Sequence, residues 1–183
     1  MKVLGIAGSP RENSNTRILM DEAMEGAGEA GAETEVLDIT RKEIAPCDGC
    51  AFCLDSGECS TSDDMDLVYS KLIEADAIFI GTPVYFWNVS GQVKVLLDRT
   101  YPLMWHRKLR GKVGGIAVVA RRAGCGNAYS FLTDYFTLMR MTVGGGVIGY
   151  AGAEAGIRDD KEAMGQAKAA GRAMVRAIKR NDK

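Results

Sequence analysis

The 183-residue chain is expected to fold as one doubly wound α/β domain: a five-stranded parallel sheet, order 2-1-3-4-5, with helices on both faces. Three observations predict it. Short apolar runs alternate about five times with longer segments of helical period. That alternation implies parallel strands joined by right-handed crossovers. The composition, 46% hydrophobic and 26% charged, suits a packed core, and the length suits a single domain. No internal repeat or low-complexity segment interrupts the pattern.

Lys2 to Ala7 is apolar and rich in branched residues, and reads as a buried first strand. Asn15 or Thr16 is expected to cap the next helix, which carries Ile18, Leu19, Ala23 and Ala27 on one side. Glu33 to Ile39 reads as strand two. A polar, cysteine-bearing stretch follows, and a helix then starts at Asp63 or Asp64. Met65, Val68, Tyr69, Leu72 and Ile73 form its apolar face. Ala77 to Gly81 is strand three. Ser90 caps a helix with Val93, Leu96 and Leu97 inward. Val113 to Ala120 is strand four, and Tyr129 to Met139 is helical, with Phe131, Leu132, Tyr135, Leu138 and Met139 on one face. Val143 to Tyr150 is a glycine-interrupted fifth strand. Asp160 to Lys179 forms the last helix, with Met164, Ala167, Gly171, Met174, Val175 and Ile178 inward.

The net charge of −1 gives no general attraction to nucleic acid or to anionic lipid. The first apolar stretch stops at Gly8-Ser9-Pro10, too short for a signal sequence or a span, and no other run is long enough to cross a bilayer. A cytoplasmic protein is expected. In a reducing compartment, five cysteines point to metal or redox chemistry before structural disulfides.

Ligands of doubly wound sheets sit outside the carboxyl ends of the strands, at the switch point. The first such loop reads Gly8-Ser9-Pro10-Arg11-Glu12-Asn13-Ser14-Asn15-Thr16 and leads into a helix. Hydroxyls, one cation and a helix N-terminus match a phosphate monoester, although the same residues also serve as plain helix caps. The spacing G-x-G-x-x-G is missing after strand one, and G-x-x-x-x-G-K-[ST] is missing throughout. A dinucleotide Rossmann site and a triphosphatase are therefore disfavoured. After strand three comes Gly81-Thr82-Pro83-Val84-Tyr85-Phe86-Trp87-Asn88. Three consecutive aromatics cannot all point into the core. They offer walls for a flat ring, or a subunit interface.

Four of the five cysteines fall in Cys47-x2-Cys50-x2-Cys53-x5-Cys59. Iron–sulfur proteins commonly use C-x2-C-x2-C, and a four-iron cluster needs four thiolates. Structural zinc usually takes two separated pairs. Zinc, disulfides and redox or packing thiols remain the rivals. Cys125 lies outside the motif and reads as a small packing residue. The lone His106 gives little support to a triad or a histidine metal site. Asp63, Asp64 and Asp66 read as helix-dipole acids. Lys168, Arg172, Arg176, Lys179 and Arg180 read as a solvated face.

The paired motifs Gly-Ser-Pro-Arg-x-x-Ser-Asn-Thr and Thr-Pro-Val-Tyr-Phe resemble the NADPH-dependent FMN reductase branch of flavodoxin-like proteins, from Met1 to about Tyr150. The resemblance implies that Ser9, Arg11, Ser14, Asn15 and Thr16 hold the FMN phosphate. Pro83, Val84, Tyr85, Phe86, Trp87 and Asn88 would line the ribityl chain and isoalloxazine, with Arg121 in the loop that closes the other side. With the four cysteines included, the chain is similar to the iron–sulfur flavoprotein family. That similarity implies a [4Fe-4S] cluster on Cys47, Cys50, Cys53 and Cys59, carried by an insertion at about 44–62 of a domain spanning 1–183. It further implies a ferredoxin-like donor, oxygen, peroxide or quinone as small acceptors, and a homo-oligomer, a tetramer, with each cluster near a neighbour's flavin. The alternatives are a cluster-free reductase using NAD(P)H as substrate, with flavin or quinone as acceptor, and a non-catalytic electron carrier. The near-neutral charge disfavours the carrier, which usually docks through an acidic surface.

Overall fold

The computed structural model describes residues 1–181. Its elements run β1 (Lys2–Ala7), α1 (Asn15–Glu29), β2 (Glu33–Asp38), α2 (Cys53–Ser56), α3 (Met65–Glu74), β3 (Ala77–Pro83) and α4 (Gly91–Arg99). There follow α5 (Tyr101–Trp105), β4 (Val113–Ala120), α6 (Cys125–Leu138), β5 (Thr142–Tyr150) and α7 (Lys161–Asn181). All five strands are parallel, in the order β2-β1-β3-β4-β5, as the alternation predicts.

The strand period of two sends alternate side chains to two cores. Leu4, Ile6, Ile78, Ile80 and Ile116 meet Met65, Val68, Leu72, Val93, Leu96, Leu132 and Phe136 on the side of α3, α4 and α6. Val3, Phe79, Val113 and Val119 meet Leu19, Met20, Ala23, Met174, Val175 and Ile178 on the side of α1 and α7. These last two helices touch backbone to backbone. A Cβ at Gly171 would lie 1.8 Å from the Ala23 carbonyl oxygen, so only glycine fits that crossing. Lys168 and Arg172 of α7 ion-pair with Glu25 and Glu29 of α1, so part of the basic stripe bridges helices instead of facing solvent alone.

Several boundaries differ from expectation. The cap of α1 is Ser14, whose hydroxyl accepts the Arg17 amide at 3.2 Å; Asn15 and Thr16 are already helical. Ile39 starts a short 3-10 turn, because Asp38 caps it through the Thr40 amide at 2.9 Å. Ile73 is exposed, since it lies about 100° round the helix from Leu72, beyond the buried stripe Met65-Val68-Leu72. The helix α6 begins at Cys125, four residues before the expected start, after Gly124 turns the chain with a φ of 90°. Its buried stripe is Cys125, Ala128, Leu132 and Phe136, and Leu138 faces out. Strand β3 runs on to Pro83, because Thr82 and Pro83 continue the register with Val118 and Val119. Among the described residues no helix is long and apolar enough to cross a membrane.

Candidate functional site

Two cavities carry the chemistry the sequence singles out. The first is a cleft of about 180 Å³ at the carboxyl edge of β1, β3 and β4. Ser9, Arg11, Ser14, Asn15, Thr16, Pro83, Val84, Tyr85 and Arg121 all line it, with Val119, Ala120, Ala151 and Gly152. A buried brace sets its shape. Ser90 Oγ donates to the Gly8 carbonyl at 2.7 Å, the Ser90 amide donates to Thr82 Oγ1 at 3.0 Å, and Ser90 Oγ accepts the Val93 amide at 3.3 Å. The Gly8 amide donates to the Gly81 carbonyl at 2.9 Å. Loop one and loop three are thus one unit. Ser90 reads from sequence as a cap only, and nothing in local spacing announces its long-range bond to residue 8.

The cleft fits a phosphate monoester. Ser14 caps the 15-residue α1 through an accepted bond, which leaves its hydroxyl hydrogen available to a ligand. Arg11 and Arg121 line the cleft, and neither is ion-paired among the described residues. Thr16 is buried at the floor. Asn15 differs: its Nδ2 donates to the Ala153 carbonyl at 2.8 Å and its Oδ1 accepts the Ile157 amide at 3.1 Å. Its amide therefore pins the chain after β5 beside the cleft.

Phe86, Trp87 and Asn88 stand outside the cleft lining, in a tight two-residue turn. Tyr85 and Asn88 exchange both backbone hydrogen bonds, at 2.9 and 3.1 Å. Phe86 and Trp87 sit at φ 46° and 64°, the left-handed region, where such turns normally carry Asn-Gly. Both rings are exposed at the mouth. Trp87 also packs against Gly124 of the opposite loop, where an added Cβ would come within 3.4 Å of its ring.

The second cavity, about 470 Å³, is lined by Cys47, Cys50, Cys53 and Cys59 together, with Asp98, Arg99, Tyr101 and Pro102 from α4 and α5. All five thiols of the chain are free. Among the described residues no three ligating side chains converge on one metal ion. A single tetrahedral zinc needs thiolates packed about one point at ~2.3 Å, whereas these four surround a larger space. Burial raises the Cys53 thiol above its ordinary value, and the neighbouring Cys59, Cys47 and Cys50 push the same way. Burial also raises Tyr69, beside Cys59.

Arg99 is 2% exposed at the edge of this cavity. It pairs with Asp63 at 2.7 and 3.1 Å. Burial alone would raise Asp63; the Arg99 hydrogen bonds and the Ala45 and Met65 amides outweigh it and hold the carboxyl below its ordinary 3.8. Asp63 is thus the acid of a buried ion pair, beyond the helix-dipole role its position suggests. The Nε of Arg99 is buried without a partner among the described residues. Four free thiols around one cavity, with the buried Arg99 among its lining residues, suit an electron-rich inorganic core. His106 Nε2 lies 3.0 Å from the Cys53 carbonyl oxygen. Neither Arg99 nor His106 carries a sequence signal, because each acts on residues 36 to 54 positions away.

The five-stranded parallel sheet in the order β2-β1-β3-β4-β5, with a cleft at the carboxyl edge of β1, β3 and β4, defines a protein of the flavodoxin-like α/β class. A flavodoxin from the domain Archaea superposes over 98% of this chain and 99% of its own, with a TM-score of 0.66 at 15% identity. The family model for NADPH-dependent FMN reductase matches residues 1–155, and the chain belongs to that family, the FMN flavoprotein oxidoreductases. An iron–sulfur flavoprotein of Methanocaldococcus jannaschii is 43% identical over 147 residues, 79% of this chain and 76% of that one. An iron–sulfur flavoprotein of Archaeoglobus fulgidus is 35% identical over 184 residues, 97% of this chain and 94% of its own.

Proposed function

We propose that this oxidoreductase carries a [4Fe-4S] cluster beside its FMN and passes electrons from a ferredoxin-like donor to small acceptors such as oxygen, peroxide or quinone. The observation that carries the reading is the gathering of the free thiols of Cys47, Cys50, Cys53 and Cys59 around one cavity, with buried Arg99 in its lining. FMN would be held at its phosphate by Ser9, Arg11, Ser14 and Thr16 and the first turn of α1, with Asn15 as the support behind them. Pro83 to Asn88 and Arg121 would enclose the ribityl chain and ring. FMN supplies the exchange between one-electron and two-electron steps. The chain itself binds, orients and shields, and no side-chain acid or nucleophile is needed.

The two cavities share no lining residue. That separation favours an electron path between subunits of a tetramer, with the cluster of one near the flavin of another. Exposed Phe86 and Trp87 at one mouth, and Phe52, Tyr101 and Trp105 near the other, supply apolar surface for such contacts. We place the protein in the cytoplasm, where free thiols persist.

Anaerobic purification tests the reading. Flavin bands with a broad iron–sulfur shoulder and about four irons and four sulfides per chain are expected. Flavin without iron, after reconstitution with iron and sulfide, would overturn it. The family match itself favours a second reading, a cluster-free NAD(P)H-dependent flavin or quinone reductase. Steady NADPH consumption by iron-free protein would establish that one.

A further inference from the structure

Arg99 closes the α4 helix and reaches back to both flanks of the cysteine segment. Its Nη1 donates to the Ala45 carbonyl at 2.7 Å and to Asp63 Oδ2 at 2.7 Å. Its Nη2 donates to the Thr61 carbonyl at 3.2 Å and to Asp63 Oδ1 at 3.1 Å. Asp63 Oδ2 also accepts the Ala45 amide at 2.9 Å. Ala45 lies two residues before Cys47, and Thr61 two residues after Cys59. One planar side chain therefore spans the neck of the loop that bears all four thiols.

We infer that Arg99 is the positioning residue of the cysteine cavity: it ties the two ends of segment 45–61 together before metal enters, and its fixed charge then sets the potential of the cluster held there. The second half rests on the cluster reading above; the first half does not. The geometry needs arginine. Four guanidinium bonds point in two directions within one plane, whereas a lysine offers three donors from one point. Glu43 and Asp64 close the loop further out, through the Glu43 amide to Asp64 Oδ2 at 2.9 Å and the Asp64 amide to the Glu43 carbonyl at 3.2 Å; Arg99 adds the tie nearest the thiols and so lowers the entropy cost of ordering 45–61. The segment's other side-chain ties from the α5 region come from exposed residues, His106 to the Cys53 carbonyl and Lys108 to the Gly57 carbonyl at 3.4 Å. Neither spans the neck.

The charge argument is also geometric. Arg99 lines the cavity with the four cysteines and is nearly inaccessible to water, so its field is poorly screened. A cluster on four thiolates becomes more negative on reduction. Arg99 is paired with Asp63, so its removal leaves that carboxylate uncompensated, which disfavours the reduced form and lowers the potential.

The test uses the full chain with flavin bound, as wild type, Arg99→Met and Arg99→Lys. Amide hydrogen exchange is read on aerobically prepared, iron-free protein. The cluster potential is read by spectroscopically monitored titration of anaerobically prepared protein. In Arg99→Met the amides of 45–61 are expected to exchange at least about tenfold faster, with the sheet amides unchanged, and the potential to fall. In Arg99→Lys the exchange stays fast while the potential returns toward wild type. Exchange in Arg99→Met within about twofold of wild type would overturn the tie. An unchanged potential in Arg99→Met, or one in Arg99→Lys as low as in Arg99→Met, would overturn the charge role. If Arg99→Met does not retain flavin, Arg99→Lys decides the tie by the same exchange criterion. If wild type takes up no iron and sulfide, the cluster reading fails, and the exchange comparison still decides the tie.

Discussion

The turn at Phe86-Trp87 is where this chain departs furthest from what its local chemistry favours. A phenylalanine at φ 46° sits in a region that costs about 1–2 kcal/mol for a side chain bearing an ordinary Cβ. Asparagine adopts the same region readily. Phe86 is 102% exposed, so its removal forfeits no burial within the chain. The substitution Phe86→Asn should therefore stabilise the flavin-free protein by ~1 kcal/mol. For a chain of 150–250 residues that corresponds to a rise in Tm of about 2–4 °C. Trp87 is a poorer target, since its partial burial against Gly124 offsets the gain. On the proposal that Phe86 helps enclose the flavin ring, the same change should weaken FMN binding; titration followed by flavin fluorescence reads that arm. Thermal unfolding of flavin-free protein at two concentrations reads the first. An unchanged or lower Tm would refute the strain argument. A loss of Tm that grows on dilution would show instead that Phe86 is buried between subunits.

Further outcomes follow from single contacts. Arg11→Ala should weaken FMN binding about 10- to 100-fold, the size of one charge-assisted bond, and leave riboflavin binding nearly unchanged; calorimetry with both ligands separates the two. Gly8→Ala places a Cβ 2.1 Å from Val93 Cγ2 and 2.8 Å from the Gly81 carbonyl oxygen, so it should destabilise by ~1–3 kcal/mol and misplace the phosphate loop; denaturant unfolding and FMN titration measure both effects. Glu35 is held below its ordinary 4.5 by hydrogen bonds from Lys71 and then Lys2. A depressed folded pKa gives stability that is present above 4.5 and is lost as pH falls through the lower folded value. The Tm gap between wild type and Glu35→Gln should therefore close as pH drops below 4.5, and a gap independent of pH would contradict the assignment.

The sheet was legible because its strands are short apolar runs, such as Ala77-Ile78-Phe79-Ile80, between helices with clear stripes. Five alternating strands fit the doubly wound order 2-1-3-4-5, and that is the order observed. The cleft residues were legible for a related reason: in a parallel sheet the loops after β1 and β3 must meet, so Ser9 and Tyr85 come together from 76 positions apart. Side-chain commitments were not legible. Nothing in the sequence separates Asn15, whose amide is used by Ala153 and Ile157, from Ser14 beside it. The start of α6 was hidden because Gly124 turns the chain by backbone conformation, with no capping side chain. Arg99 stands in the last turn of α4 with no motif around it. Its role comes from Asp63, Ala45 and Thr61, which only the fold brings near.

The electron route through two centres is the central claim, and an anaerobic reductive titration of the protein as purified tests it most directly. FMN takes up two electrons and a [4Fe-4S] centre one, so the titration should end at about three electron equivalents per chain, with the loss of iron–sulfur absorbance distinct from that of the flavin. An end point at about two equivalents, with flavin bleaching alone, would contradict the account.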